Sequence, residues 1–241
     1  MRLDAYLVEN DLVRSRARAK ALIQGGKVQV NGVVTTKPAQ ALAANAEVEL
    51  LEDDHHYVSR SAFKLKGLLD TADVRLKNKI VLDIGSSTGG FSQVSLEYGA
   101  KHVYAVDVGT DQLHESLRGD KRITSIEQTD ARDLSPKMFP LEPSVLVVDL
   151  SFISLEKVLP TVVAEVDSIF EICCLVKPQF EVGRSAVDKK GLVTDEGERL
   201  RALSQVEACL NTLGFEVMHD MEAAIHGGDG NIEYMVYAAR P

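Results

Sequence analysis

The sequence has no tryptophan, only three cysteines and no apolar run that approaches membrane-spanning length. A membrane span needs about 18 consecutive apolar residues, whereas runs such as Val145–Val148 and Ile172–Val176 have the length of β-strands. The three cysteines suggest no disulfide framework, and the adjacent Cys173 and Cys174 predict buried thiols in a reducing compartment. The first residues begin an amphipathic pattern instead of a signal-peptide core. We therefore expect a cytoplasmic protein and find no support for a membrane-lytic role.

Positive charge is scarce overall but is concentrated near the N-terminus. The formal net charge of the 241 residues is −9. Residues 1–46 nevertheless carry seven Lys/Arg and three Asp/Glu, whereas residues 47–54 carry five acids and no base. A basic N-terminal part on an acidic body is a charge asymmetry typical of nucleic-acid-binding proteins.

The N-terminal part predicts a small α+β domain over residues 1–54. Apolar spacing indicates a helix over 2–10, and Ser15 is placed to cap a second helix that ends at Gly25-Gly26. Residues 27–34 alternate around an Asn-Gly turn and predict a hairpin, and residues 46–51 predict a closing strand.

Cations cluster around the start of the second predicted helix, where backbone N–H groups already favour phosphate. A solvated helix face is the alternative explanation for the same charges. The strings Arg2-Leu-Asp-x-x-Leu-Val, Ser15-Arg-x-x-Ala and Ile23-x-x-Gly-Lys-Val-x-Val-Asn-Gly resemble the RNA-binding domain named after ribosomal protein S-four. That resemblance implies a structured, ribosomal RNA partner. The expected RNA contacts are Arg2, Arg14, Ser15, Arg16, Arg18, Lys20, Lys27 and Arg60.

A linker over residues 55–58 separates this domain from the body, residues 59–241, in which strands and helices alternate. Strands are predicted at 80–84, 101–107, 122–128, 144–149, 172–176, 215–219 and 232–238. Helices are predicted at 59–71, 89–99, 110–117, 155–166 and 196–213. This alternation indicates βαβ units and a mostly parallel sheet covered on both faces. Ligands of such sheets bind at the carboxyl ends of the strands.

A glycine-rich turn follows the first of these strands and contains neither the phosphate-loop nor the dinucleotide-binding spacing. Acidic residues follow or end three successive strands there. Acidic residues without a phosphate-binding loop suit a nucleoside ligand that lacks a pyrophosphate, such as S-adenosylmethionine. The alternative is that each Asp is simply a turn residue. The expected cofactor-binding residues are Asp83, Gly85, Ser86, Ser87, Gly89, Gly90, Phe91, Asp107 and Asp130.

Four further residues are candidates for catalysis: Lys64, Asp149, Lys177 and Glu233. Asp149 and Lys177 end apolar strands, and Glu233 reaches the same edge if the last strand is antiparallel. A ribose hydroxyl is a weak acid, so its methylation needs a base, and a lysine held by carboxylates can supply one. The alternative is a simple strand-end ion pair between Lys177 and Asp149, with Lys64 as a surface charge.

The glycine-rich turn and the strings that contain three of these four residues resemble the TlyA family, long labelled hemolysin A. They are Asp83–Phe91, Asp149-Leu-Ser-Phe-Ile-Ser-Leu, Leu175-Val-Lys-Pro-Gln-Phe-Glu-Val-Gly and Gly230-Asn-Ile-Glu-Tyr. The resemblance covers essentially the whole chain and implies an FtsJ/RrmJ-like ribose 2′-O-methyltransferase of ribosomal RNA. It implies a Rossmann-like class I fold with a seven-stranded, mostly parallel sheet whose last strand is antiparallel. It also implies S-adenosylmethionine as cofactor, no metal, and a Lys-Asp-Lys-Glu tetrad in which Lys177 is the base.

The chain departs from the family at the linker. Mycobacterial members have Arg-x-Trp-Val at the linker, where this chain has His55-His56-Tyr57-Val58. Adjacent histidines on an extended chain point in opposite directions, so we do not expect a metal site there.

The chain resembles the short form of the family, which is associated with large-subunit RNA. A cytolysin and a ribosome assembly factor with an inactive body are the alternatives, and the oligomeric state is open.

Overall fold

The computed structural model describes residues 1–10, 12–13, 15–43, 46–51, 57–227 and 230–241. Arg14, His55 and His56 lie outside these residues. The chain forms two compact units, Met1–Tyr57 and Val58–Pro241. No helix in the described ranges has both the length and the apolar character needed to cross a bilayer.

The N-terminal unit contains the two helices, the hairpin and the closing strand that the sequence predicts. Its elements are α1 (Leu3–Glu9), α2 (Arg16–Gln24), β1 (Val28–Val30), β2 (Val33–Val34) and β3 (Val48–Leu50). The strands form an antiparallel sheet in the order β2-β1-β3. The Ser15 side chain caps α2 by accepting the Arg18 N–H. Leu3, Leu7 and Ile23 are completely buried, so the apolar faces of α1 and α2 form the core with β1.

The C-terminal unit is built on one seven-stranded sheet. Its strands are β4 (Ile80–Ile84), β5 (His102–Val106), β6 (Ile123–Ile126), β7 (Val145–Val148), β8 (Glu171–Val176), β9 (Glu216–Glu222) and β10 (Tyr234–Ala239). The order across the sheet is β6-β5-β4-β7-β8-β10-β9. Strands β4 to β8 pair in parallel, and β10 is antiparallel to both of its neighbours. The predicted fold class, including the antiparallel last strand, is confirmed.

Helices cover both faces of this sheet, as a parallel sheet requires. They are α3 (Ala62–Thr71), α4 (Gly90–Glu97), α5 (Glu115–Arg118), α6 (Leu159–Glu165), α7 (Pro178–Glu181) and α8 (Glu196–Thr212). Leu82, Leu146 and Cys174 point to the face that packs with α6 and α8. The opposite face packs with α3 and α4. Every residue of β7 is buried, which explains its uninterrupted apolar sequence.

Two predicted helices differ from the structure. The helix expected at 110–117 is wrong over its first half, because Asp111 adopts a left-handed φ of 54° and α5 begins only at Glu115. The helix expected at 155–166 begins as a short 3-10 turn, Leu155–Lys157, and continues as α6 with a proline in its first turn. The one-turn helix α7 was not predicted.

Candidate active site

The sheet topology brings three of the four catalytic candidates to one edge. Asp149 directly follows β7 and Lys177 directly follows β8, so both lie at the carboxyl ends of parallel strands. Tyr234 of β10 pairs with Val176 of β8 in antiparallel register. Glu233, one residue before Tyr234, therefore lies beside the end of β8. Lys177 keeps an extended backbone before Pro178, as a residue before proline is expected to do.

Lys177 and Asp149 form an ion pair at this edge. The Lys177 Nζ lies 2.6 Å from the Asp149 Oδ1, and the two side chains are 11% and 14% exposed. The same Nζ donates a hydrogen bond to the Ser151 Oγ at 2.9 Å. The ammonium group is therefore held at a fixed place between the loops that follow β7 and β8.

Lys64 and Glu233 form a second, more deeply buried ion pair. The Lys64 Nζ donates to the Glu233 Oε2 at 2.5 Å, and the side chains are 9% and 3% exposed. The alternative view of Lys64 as a surface charge is therefore wrong. Gln179 on α7 donates its side-chain amide to the Glu233 Oε1 at 3.3 Å. Our sequence reasoning did not single out Gln179, although it lies in the string after Lys177.

Two open cavities meet around the glycine-rich turn, each with a volume of about 260 Å³. Gly85, Ser87, Asp149 and Ser151 line both of them. The first cavity is also lined by Asp107, Val108, Gln112, Thr129, Ala131 and Phe152. The second is also lined by Ser59, Ser61, Ser86, Phe91 and Lys177. The Lys177–Asp149 pair thus belongs to the second cavity and reaches the border of the first.

Gly85 is required where the two strand-end loops approach each other. Its φ is 77°, and a Cβ at this position would lie 2.5 Å from the Asp149 carbonyl oxygen. Gly89 packs against Leu113 and Leu117 instead of lining either cavity. The predicted glycine turn thus serves both close backbone approach and helix packing.

The three predicted acidic residues occupy three different environments. Asp107 lines the first cavity, and its carboxylate accepts the backbone N–H groups of Ser87 and Gly109 at 2.8 and 2.7 Å. Each of its oxygens retains a lone pair for a further donor. Asp130 instead binds the Arg132 guanidinium through both oxygens, which lowers the Asp130 pKa to about 2, and it lines neither cavity.

Asp83 lies inside β4 with no exposed surface. Ser92 on α4 donates to the Asp83 Oδ2 at 2.6 Å, and the Oδ1 has no hydrogen-bond partner among the described residues. Burial raises the pKa of this carboxyl group to about 7, and the negative charge of Asp149 adds to the effect. Asp83 therefore supports the glycine turn from within the sheet and does not line either cavity.

A further carboxylate, which our sequence reasoning did not single out, supports a loop that lines the first cavity. Glu127 follows β6 and accepts the backbone N–H groups of Asp111, Gln112 and Leu113 at 2.5, 2.9 and 3.2 Å. These bonds lower the Glu127 pKa. They hold the loop that contains Val108 and Gln112 against the first cavity.

The first cavity fits S-adenosylmethionine better than a polyphosphate. Among the described residues that line it, the charged ones are Asp107 and Asp149, both acidic. Carboxylates can accept ribose hydroxyls and attract a cationic sulfonium or ammonium group, whereas they repel phosphates. The close approach of Gly85 to the Asp149 carbonyl leaves no room for a side chain at this point of the lining.

Comparison with known proteins gives the same assignment. The FtsJ-like methyltransferase family matches residues 57–240, and the S4 domain matches residues 1–48. A Mycobacterium tuberculosis protein named 16S/23S rRNA (cytidine-2′-O)-methyltransferase TlyA is 40% identical, over 98% of this chain and 88% of its own. A Campylobacter jejuni protein named 23S rRNA (cytidine-2′-O)-methyltransferase TlyA is 38% identical, over 98% of both chains.

A solved structure described as a hemolysin, from Streptococcus thermophilus, matches the whole chain and 88% of its own, with a TM-score of 0.77 and 36% identity. The N-terminal domain and the enzyme body thus occur together in these relatives, as the sequence motifs indicate. The chain therefore belongs to the TlyA family of FtsJ-like methyltransferases, enzymes that use S-adenosylmethionine, and has an S4 domain at its N-terminus.

Proposed function

We propose that the protein methylates the 2′-hydroxyl of a cytidine in large-subunit ribosomal RNA. The observation that carries this proposal is the Lys177–Asp149 pair at the border of two cavities. One cavity has the acidic lining expected for a cationic nucleoside cofactor. The other presents a lysine and five serines to the place where the acceptor ribose would lie.

The bound cofactor supplies an activated methyl group on a sulfonium. Asp107 and the loop held by Glu127 would bind and orient the nucleoside part, next to the close approach of the two strand-end loops at Gly85. Lys177 directs the acceptor oxygen and takes the hydroxyl proton on its Nζ when that group is neutral. Asp149 stabilises the ammonium that forms, and Ser151 fixes its direction. Holding both reactants in line contributes much of the rate enhancement.

Lys64 and Glu233 act as a positioning pair in this proposal. Their buried ion pair fixes the start of β10 against α3, and Gln179 extends it to α7, directly after Lys177. A charge pair that is almost completely buried keeps its partners in one geometry, because either charge alone would be strongly unfavourable there. The four residues of the predicted tetrad are thus linked as two pairs with different tasks.

The N-terminal unit is proposed to bind the ribosomal RNA. Arg2, Arg16 and Lys20 are exposed around the first two helices, and Lys27 is exposed before β1. Arg60 is exposed between the two serines of the second cavity. Cations of this kind bind phosphates and position RNA without reading its sequence. The name of the Campylobacter jejuni relative, which covers 98% of both chains, favours the large subunit.

The test is the transfer of labelled methyl groups to unmethylated ribosomal subunits, with each subunit assayed separately. Primer extension at low nucleotide concentration then locates any 2′-O-methyl group. We expect one stop in large-subunit RNA. Label in both subunits would contradict the large-subunit proposal, and label in neither would favour an assembly factor with an inactive body.

The role of Lys177 is tested by a change that keeps its charge. Arginine can still pair with Asp149 but does not lose its proton, so Lys177→Arg should reduce the transfer rate by about 10²- to 10⁴-fold, the usual contribution of a general base. Lys101→Arg, at an exposed position before β5, is the matched control and should keep the wild-type rate. An active Lys177→Arg variant would exclude Lys177 as the base.

The hemolysin description of the Streptococcus thermophilus structure provides the second candidate function. Lysis of red cells by the purified wild-type protein and by Lys177→Arg separates the two activities. Equal lysis by both proteins would establish a cytolytic activity that is independent of methyl transfer.

A further inference from the structure

Asp4, in the first turn of α1, is a buried carboxylate that has no part in methyl transfer. Its side chain is 0% exposed, yet it is charged and faces two arginines. The hydrogen bonds from Arg2 make the largest contribution to lowering the Asp4 pKa, to about 2. The carboxylate is therefore ionised at neutral pH.

The two arginines are held by this one carboxylate from two different helices. Arg2, directly before α1, donates through Nε and Nη2 to the two Asp4 oxygens, both at 2.9 Å. Arg16, the first residue of α2, donates through Nη2 to the Asp4 Oδ2 at 3.2 Å. The arginine side chains remain 51% and 57% exposed. Each guanidinium has five N–H groups, so most of them point away from these bonds.

The charges of this cluster are suited to one phosphodiester. Two guanidinium groups and one carboxylate leave a local charge of +1, opposite to that of a single RNA phosphate. Guanidinium groups are planar and bind phosphate through paired hydrogen bonds. Fixing two long side chains before binding lowers the entropy that binding must otherwise cost.

We propose that Asp4 preorganises Arg2 and Arg16 as a two-arginine site for one phosphate of the RNA substrate. The proposal rests on the RNA-binding role proposed above for the N-terminal unit. Asp4 is a positioning residue in it and does not contact the RNA.

The proposal opposes what net charge alone predicts. Asp4→Asn removes a negative charge beside the RNA surface, so simple Coulomb attraction would strengthen RNA binding. If Asp4 orders the arginines, the same change must weaken binding, because both guanidinium groups lose their charged partner. The sign of the effect therefore separates the two explanations.

The experiment measures binding of the full-length protein to unmethylated large ribosomal subunits over a series of salt concentrations. We expect Asp4→Asn to weaken binding about tenfold and to reduce the salt slope by about one, the value for one lost phosphate contact. Glu9→Gln, an equal charge change at an exposed position of α1, is the control and should bind at least as well as wild type. Wild-type or tighter binding by Asp4→Asn would overturn the proposal.

A double-mutant cycle guards against a general effect on folding. In an Arg2→Ala/Arg16→Ala background, Asp4→Asn should cause no further loss of binding. A further loss there would show that Asp4 acts through the fold of the unit, which also overturns the proposal. Methyl transfer by the wild-type protein is measured in the same preparations. Absence of transfer together with the expected binding pattern would refute the enzymatic function while leaving the arginine site intact.

Discussion

The buried carboxyl group of Asp83 should make the stability of the C-terminal unit fall as the pH rises. Its pKa lies at about 7 in the folded protein, compared with 3.8 for an unperturbed Asp. Between these two values the folded state holds a proton that the unfolded state has lost. Stability therefore decreases with pH across this window. At 1.36 kcal/mol per pKa unit the loss over the complete titration is about 4 kcal/mol.

Asp83→Asn isolates this contribution, because the amide has the same shape and does not ionise. We expect the urea midpoint of wild type to fall from about pH 4 to about pH 8 relative to that of Asp83→Asn, and the two curves to run parallel above that range. Subtracting the two stability curves removes the contributions of the other titrating groups, because both proteins contain them. Asp133→Asn, a change at an exposed carboxylate, is the control and should follow the wild type.

A second substitution tests the cause of this pH dependence, which is the raised Asp83 pKa. Ser92 donates to the ionised carboxylate and so lowers the Asp83 pKa against the larger effect of burial. Ser92→Ala should move the loss of stability to higher pH. Parallel curves for wild type and Asp83→Asn over the whole pH range would refute the reasoning, because a carboxyl group with a shifted pKa must make stability depend on pH.

Three further predictions concern the active site. Gly85→Ala should weaken S-adenosylmethionine binding, measured by calorimetry, because the added Cβ would lie 2.5 Å from a carbonyl oxygen. Gly191→Ala is the control and should not weaken it, because Gly191 has a similar φ of 84° but no atom within 4 Å of an added Cβ. Lys64→Met should destabilise the protein in urea unfolding by about 3–5 kcal/mol, because it leaves the buried Glu233 carboxylate unpaired. Adding Glu233→Gln should recover part of the lost stability, and no recovery would contradict the pairing. Glu127→Gln should raise the KM for the cofactor and leave the KM for RNA unchanged; an equal rise in both would contradict its assignment to the cofactor loop.

The elements that could be predicted from the sequence are those that neighbouring residues along the chain determine. Apolar runs that end in a charged residue placed Asp149 and Lys177 at the correct sheet edge. The conformation of the loop before α5 could not be predicted, because it depends on Glu127, which lies 14 to 16 residues further along the chain. A surface charge stayed open as the alternative for Lys64 because its partner is 169 residues away. The pairing of Asp130 with Arg132 could not be predicted either, because sequence spacing does not reveal where these two side chains point.

The Lys64–Glu233 pair also determines when during synthesis the enzyme can become complete. Its two members are separated by 169 positions, so Glu233 is made long after Lys64. The start of β10 cannot be fixed against α3 until Glu233 has been made and has left the ribosome. A nascent chain that has not reached this stage therefore lacks the buried pair, although its S4 domain has already been made. By this order of assembly, the S4 domain can be complete before the methyltransferase unit is.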